Sequence, residues 1–168
     1  MSDIVIGYHF LSADGTAYRG YRPAPVGEWE PDIPSPVLCK RGYHGSLRIL
    51  DALGYAMGPI LQRCEYRGVV YDDDKFVAVS RRALARADAT SLLRIFAARC
   101  AESALALVAN PDPRSLAACE VARRHALGMA TNAELAAARA AAWAAASDAQ
   151  SVWLESACLD LDWCEVPR

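Results

Sequence analysis

The first half of the chain alternates apolar and polar residues in short runs, and turn residues separate these runs. Residues 3–12 are rich in β-branched and aromatic side chains and predict a strand. The Asp14-Gly15 pair supplies a residue that accepts positive φ, so we expect the chain to return through residues 17–19 as a hairpin. Further strands are predicted over residues 37–43, 60–71 and 76–80.

Two segments between these strands do not fit a sheet. Residues 23–36 contain five prolines, which cannot donate to a ladder, so this segment is predicted to be a loop. Ser46 is placed to cap a short helix that runs to about Tyr55. An acidic turn over residues 72–74 separates the last two strands.

In the second half the apolar residues recur at helical spacing. Asp88 and Asp112 are expected to cap the first two helices. Thr131 and Glu134 form a capping box for a longer helix that reaches about Ala157. The apolar face of this long helix is predicted to be buried. It comprises Leu135, Trp143 and Trp153.

Together these patterns predict an α+β protein. Its N-terminal part is mainly an antiparallel sheet with one short helix, and a C-terminal helical bundle of about three helices follows. We expect a β-rich N-terminal domain over residues 1–85. A helical, alanine-rich region over residues 86–168 is expected to pack on it.

Composition and charge exclude several classes of protein. Of the 168 residues 54% are hydrophobic, so a sizeable core is available. The net charge of −2 gives no global attraction to nucleic acid, and we expect no sequence-specific binding of it. The six cysteines form no C-x-x-C pair, which argues against a structural metal site. Serine-hydrolase, kinase and dinucleotide fingerprints are missing, so no cofactor is predicted.

The location of the protein is also an expectation from the sequence. Residues 1–6 lack the basic and apolar regions of a secretory signal. No run of about 18 uncharged apolar residues exists, so no membrane span is predicted. We therefore expect a protein of the cytoplasm, with reduced cysteines.

Three histidines limit the search for a catalytic group. His44 follows a predicted strand and precedes a predicted helix, a junction where helix amides attract anions. Arg41 and Arg48 add positive charge there, and protonation of His44 would strengthen anion binding below about pH 6.5. The alternative is that His44 only hydrogen-bonds the backbone of a turn. His9 allows the same two interpretations, and His125 is expected to be solvated.

A second candidate group combines a carboxylate with the histidines. Glu65 lies on a predicted strand and could act as a general base or orient a ribose. The alternative is a half-exposed strand residue that pairs with an arginine such as Arg63 or Arg67. If His9, His44 and Glu65 converge in one pocket, an enzyme is favoured.

Aromatic and arginine residues form a third candidate site, because these residue types dominate interface hot spots. Its members are Tyr18, Arg19, Tyr21, Arg22 and Trp29, with Arg41, Tyr43 and His44 from the later junction. The alternative is that the proline-rich loop wraps over the sheet and Trp29 closes the core.

Several motifs occur in a fixed order along the first half. They are YHFL at residues 8–11, LCKRGYHGS at residues 38–46, ALGYAMGP at residues 52–59 and the Asp74-Lys75 pair. This pattern, with the alanine-rich helix after it, resembles an uncharacterised family of phage and prophage proteins. The resemblance implies an origin in a mobile element and implies no particular activity.

Three functional hypotheses follow. The first is a small phage-encoded binding protein that docks on a host or defence macromolecule, either a protein or a nucleoprotein complex, as an inhibitor in the host cytoplasm. The second is an enzyme acting on a nucleotide, similar to ADP-ribosyltransferases, with His9, Tyr43 or Tyr55, and Glu65 in the corresponding order. The third is a helical, immunity-like or structural protein.

Overall fold

The computed structural model describes residues 3–159, with side chains described to Ser151. Its strands are β1 (Val5–Leu11), β2 (Tyr43–Gly45), β3 (Ile60–Tyr71) and β4 (Phe76–Asp88). Its helices are α1 (Ile49–Leu53), α2 (Thr90–Leu105), α3 (Pro113–Ala126) and α4 (Asn132–Leu159). Within the described range an antiparallel sheet with one short helix is thus followed by three helices, which confirms the predicted α+β class.

The chain divides into two compact units, Met1–Thr90 and Ser91–Arg168, called here the N-terminal and C-terminal units. No helix in the part of the chain that the structure describes is both long and apolar enough to cross a membrane.

The sheet of the N-terminal unit has the strand order β1-β3-β4-β2, and every pair is antiparallel. β3 and β4 form the predicted hairpin, with Tyr71 opposite Phe76 across the acidic turn, but β4 continues to Asp88, well beyond the predicted end at Ser80. Just after β2, Ser46 exchanges two backbone hydrogen bonds with Tyr8 of β1, at 2.8 and 3.1 Å. The two outer strands therefore meet, and the sheet curls towards a small barrel.

The predicted hairpin through residues 17–19 is wrong. β1 pairs with β3 over seven residues, and Tyr18–Gly20 is a single 3-10 turn in which Arg19 has a φ of +58°. The turn chemistry itself is present, because the Asp14 carboxylate accepts hydrogen bonds from the Thr16 amide and hydroxyl at 3.1 and 2.7 Å. β1 therefore forms its hydrogen bonds with β3, and residues 17–19 form no second strand beside it.

The junction before α1 also differs from its prediction. Val37 and Arg41 close a tight turn through two backbone hydrogen bonds of 2.7 and 2.8 Å, so the strand is only β2. α1 begins at Ile49 with Arg48 as its N-cap, and Ser46 is buried in the bridge to β1. The backbone of Ser46 forms hydrogen bonds with Tyr8 of β1, and its side chain caps no helix.

The core of the N-terminal unit lies on one face of this curled sheet. Tyr66 and Phe76 are fully buried, with ring centroids 4.7 Å apart in an edge-to-face arrangement. Gly45 is required beside them, because a Cβ at this position would lie 2.6 Å from the Tyr66 hydroxyl. The proline-rich segment is a loop, as predicted. Its amides at Gly27, Glu30 and Ile33 donate to β4 carbonyls at 2.7–2.8 Å.

In the C-terminal unit the predicted caps are confirmed. Asp112 accepts from the Arg114 amide at 2.8 Å, and Thr131 and Glu134 bond reciprocally as a capping box. Leu135 is buried, as predicted, but Trp143 is 79% exposed, so the prediction that it is buried is wrong. The small residue Ala145 is buried on this helix, so the buried face carries a small side chain where the sequence predicts a large one. Small residues allow neighbouring elements to pack closely. The Trp153 side chain lies outside the described residues.

Candidate functional site

A cleft of about 650 Å³ opens in the N-terminal unit. Its walls come from β1, the 3-10 turn, the Val37–Arg41 turn, β2, the α1 region and the start of β4. We call its buried or half-buried members the floor and its more exposed charged and aromatic members the rim. The floor contains His9, Tyr43, Ser46 and Arg81. The rim contains the exposed residues Tyr18, Arg19, Tyr21, Lys40, Arg41 and Tyr55, together with the half-buried Lys75 beside Tyr55.

A buried ion pair supports the floor. The Arg81 guanidinium lies 3.3 Å from the Glu30 carboxylate, and both side chains are only 4% exposed. Glu30 also accepts hydrogen bonds from the Tyr21 hydroxyl at 2.5 Å and from the Ala24 amide at 3.2 Å. The positive charge of Arg81 is therefore balanced within the protein, and Tyr21 is tied to the same carboxylate.

Tyr43 covers the ion pair from the side of the cleft. Its ring centroid lies 5.3 Å from the Arg81 guanidinium carbon, and its hydroxyl donates to the Pro31 carbonyl at 2.9 Å. Burial raises the pKa of Tyr43, and burial together with the hydrogen bond to Glu30 raises the pKa of Tyr21. Both phenols are thus neutral near pH 7.

His9 is the floor residue with unused hydrogen-bonding capacity. Its imidazole lines the cleft and has no hydrogen-bond partner among residues 3–151. Burial lowers the pKa of His9 to about 3, and the nearby positive charge of Arg81 adds to this effect. At neutral pH the ring is uncharged and offers one N–H donor and one nitrogen acceptor to the cleft.

His44 has a structural partner. Its Nε2 accepts a hydrogen bond of 2.8 Å from the Cys39 amide, which holds the turn where Cys39 has a φ of +59°. Burial also lowers the pKa of His44, so protonation near pH 6.5 is not expected to add positive charge here. His44 therefore adds no positive charge at neutral pH, and Ser46 caps no helix, so an anion at this junction would depend on other donors.

The rim is cationic and aromatic. Lys75 donates to the Tyr55 hydroxyl at 3.3 Å, and its Nζ lies 4.5 Å from the Tyr55 ring centroid. Tyr55 in turn donates to Asp74, which does not line the cleft. Arg41 donates to the Ser35 carbonyl at 2.7 Å, and Lys40 beside it is exposed. No aspartate or glutamate of the part of the chain that the structure describes lines the cleft.

The structure brings some predicted site residues together and separates others. His9 and His44 share the cleft with Tyr18, Arg19, Tyr21, Arg41 and Tyr43. Glu65 does not line it, but accepts from Arg82 Nε at 2.9 Å, beside the Trp29 ring. Arg22 also does not line it. Arg82 and Arg81 are adjacent on β4, so their side chains point to opposite faces of the sheet.

Sequence reasoning missed Arg81, Glu30, Lys40 and Lys75 as members or supports of the site. Glu30 gave no signal, because a glutamate in a proline-rich loop is ordinarily solvated. Arg81 directly follows the mostly apolar strand residues Phe76–Ser80. This position within a buried strand is the sequence feature that could have indicated a buried side chain.

The two neutral histidines predict a dependence of stability on pH. Their pKa values are lowered in the folded protein, so below about pH 6.5 the unfolded chain binds protons that the folded protein does not. The free energy of unfolding should therefore fall as the pH drops from about 7 to about 5, by up to about 1.4 kcal/mol per pH unit for each histidine.

Urea unfolding at several pH values in this window checks this expectation, because most carboxylates titrate below it. The slope against pH should be shallower for His9→Gln than for the wild type. Equal slopes for the two proteins would show that His9 does not carry the effect.

Comparison of the chain with protein-family models, with curated proteins and with solved structures finds no match.

Proposed function

We propose that the N-terminal unit is a binding module that takes a small anionic ligand in the cleft. The observation that carries this proposal is the composition of the lining, in which the described residues include five cationic side chains and five tyrosines but no carboxylate. The cations are Arg19, Lys40, Arg41, Lys75 and Arg81. A concave site lined by one sign of charge concentrates ligands of the opposite sign.

The rim supplies most of the attraction. Arg81 is paired with Glu30, so its charge is largely balanced. No ion pair to Arg19, Lys40 or Arg41 occurs among the described side chains, and these three residues are exposed. Lys75 contacts the hydroxyl and ring of Tyr55, and the same hydroxyl donates to the Asp74 carboxylate, which offsets part of the Lys75 charge. The rim therefore presents donors whose charge is available to an anion.

Binding is better supported than catalysis. An enzyme similar to ADP-ribosyltransferases needs a carboxylate beside the substrate, and Glu65, the residue predicted for that role, does not line the cleft. It is engaged with Arg82 outside the cleft. The carboxylate of Glu30 is buried under Tyr21 and Arg81. The enzyme hypothesis keeps His9 and Tyr43 in the cleft, but none of the carboxylates within the described range lines it.

A second candidate is docking on a host or defence macromolecule, as expected from the resemblance to phage proteins. The observation that favours it is the exposure of the rim, where Tyr18 is 69% exposed beside Arg19. An exposed tyrosine and arginine are typical anchors of a protein interface. A partner of this kind would present an acidic side chain or terminus to the same cleft.

The proposal predicts measurable binding of pyrophosphate at low ionic strength. Replacing both Lys40 and Lys75 by glutamine should weaken this binding about tenfold or more, because each charged hydrogen bond contributes about 1.5–3 kcal/mol. Isothermal titration calorimetry measures the effect. The matched control replaces Arg63 and Arg139 by glutamine, which removes two exposed positive charges outside the cleft and should leave the affinity nearly unchanged.

Two results would contradict the proposal. One is the absence of any binding of pyrophosphate or ribose 5-phosphate by the wild type at low millimolar concentration. The other is an equal loss of affinity in the control variant, which would mean that the whole surface attracts anions and the cleft does not. In the first case docking on a macromolecule becomes the better candidate.

A further inference from the structure

We infer that the ligand of the cleft is a nucleotide, held with its base against the floor and its phosphate at the rim. This inference rests on the proposed anion-binding function and adds the class and the orientation of the ligand.

The floor is neutral although it contains ionisable groups. Arg81 is matched by Glu30 at 3.3 Å, and Tyr43 is a buried phenol. His9 is an uncharged imidazole at neutral pH, because its pKa is about 3. A phosphate placed on this floor would lose its hydration and would approach the carboxylate of Glu30 without meeting a free cation. The anionic end of the ligand is therefore excluded from the floor.

The floor instead matches a neutral, planar heterocycle. His9 brings one donor and one acceptor that no residue in the described range uses. Tyr43 contributes an aromatic ring, and Ile33 and Ala52 add apolar surface close by. A nucleobase has donors and acceptors at its edge and an aromatic face, and such faces stack favourably on tyrosine.

The rim accepts the phosphate. Lys40 and Arg41 are adjacent in the turn that His44 holds, so two positive charges are fixed on one short segment. Lys75 lines the same cleft and is oriented by Tyr55. The exposed side chains of Lys40 and Arg41 keep their hydration until a ligand arrives, as is usual for phosphate-binding cations.

The size of the cleft agrees with this ligand. Its volume of about 650 Å³ is larger than a bare phosphate needs. Sites for small molecules and cofactors typically measure about 300–1,000 Å³, so a base, a ribose and a phosphate can be accommodated together.

The test compares three probes on the wild-type protein: adenosine 5′-monophosphate, adenosine and ribose 5-phosphate, with the other nucleoside monophosphates as a series. We expect at least one nucleotide to bind about tenfold or more tightly than ribose 5-phosphate, and its nucleoside to bind more weakly than the nucleotide. His9→Ala should reduce the ratio between the nucleotide and ribose 5-phosphate affinities. Arg63→Gln should preserve it.

The possible outcomes separate the two proposals. Equal affinities for ribose 5-phosphate and every nucleotide would overturn the nucleotide inference and leave the anion site standing. Absence of binding by all phosphate-bearing probes would overturn the anion site itself. Because the comparison of probes uses the wild type, it decides the matter even if His9→Ala does not fold.

Discussion

Replacing Arg81 by methionine is expected to lower the free energy of unfolding of the N-terminal unit by about 3–5 kcal/mol. Both members of the Arg81–Glu30 pair are nearly inaccessible to solvent, so the substitution leaves a buried carboxylate without its counter-charge. Tyr21 and the Ala24 amide still donate to Glu30, but neither carries a positive charge. A loss of this size approaches the whole stability of a typical domain.

Arg82→Met is the matched control, because Arg82 is the next residue on the same strand. Arg82 pairs with Glu65 and stacks on Trp29, but its side chain is 33% exposed, and such pairs contribute only about 1 kcal/mol. Urea unfolding, with amide hydrogen exchange of β4 to assign the transition to the N-terminal unit, measures both variants. Similar small losses in the two variants would mean that the Arg81–Glu30 pair does not hold the floor.

Replacing Phe76 by alanine is expected to cost about 3–5 kcal/mol as well, through lost burial and the cavity left behind. The ring is fully buried at the start of β4 and packs edge-to-face on Tyr66. It also lies against the backbone of both outer strands, because a Cβ on Gly7 or on Gly45 would be within 3 Å of its tip. Loss of the ring would therefore loosen β1 and β2 together.

Tyr71→Ala provides the comparison for this variant. Tyr71 faces Phe76 across the hairpin, with ring centroids 5.9 Å apart, but it is 57% exposed. We expect a loss of about 1 kcal/mol or less. Thermal unfolding followed by circular dichroism ranks the two variants, and the core assignment fails if Phe76→Ala is no less stable than Tyr71→Ala.

Features set by neighbouring residues could be predicted from the sequence. The β3–β4 hairpin follows from two β-rich runs around an acidic turn. The helix starts at Asp112 and Thr131 follow from side chains that bond amides two or three residues away. In each case the signal and the structure lie within a few residues of each other.

Features that depend on distant residues could not be predicted. Alternation in residues 3–12 predicts a strand but not its partner, and the true partner is β3. The long helix is so rich in alanine that several of its faces have similar hydrophobicity. The periodicity therefore cannot identify the buried face, and the prediction that Trp143 lies on it is wrong. For the site, the sequence pointed to residues 41–46 and to His9, but not to the charge balance between Arg81 and Glu30. That balance arises only where a loop meets β4.

The bridge between Tyr8 and Ser46 affects the order in which the cleft forms during folding. β3 and β4 are joined by a short turn and can pair early in folding. β1 pairs with a strand that begins only at Ile60, and this larger sequence separation makes its pairing slower. His9 is carried by β1 and His44 by β2, the two outermost strands. The cleft is therefore complete only when the last strands have docked. A ligand that binds in the cleft would stabilise the docked form of β1. It would slow the local unfolding of this strand and protect its amides from hydrogen exchange.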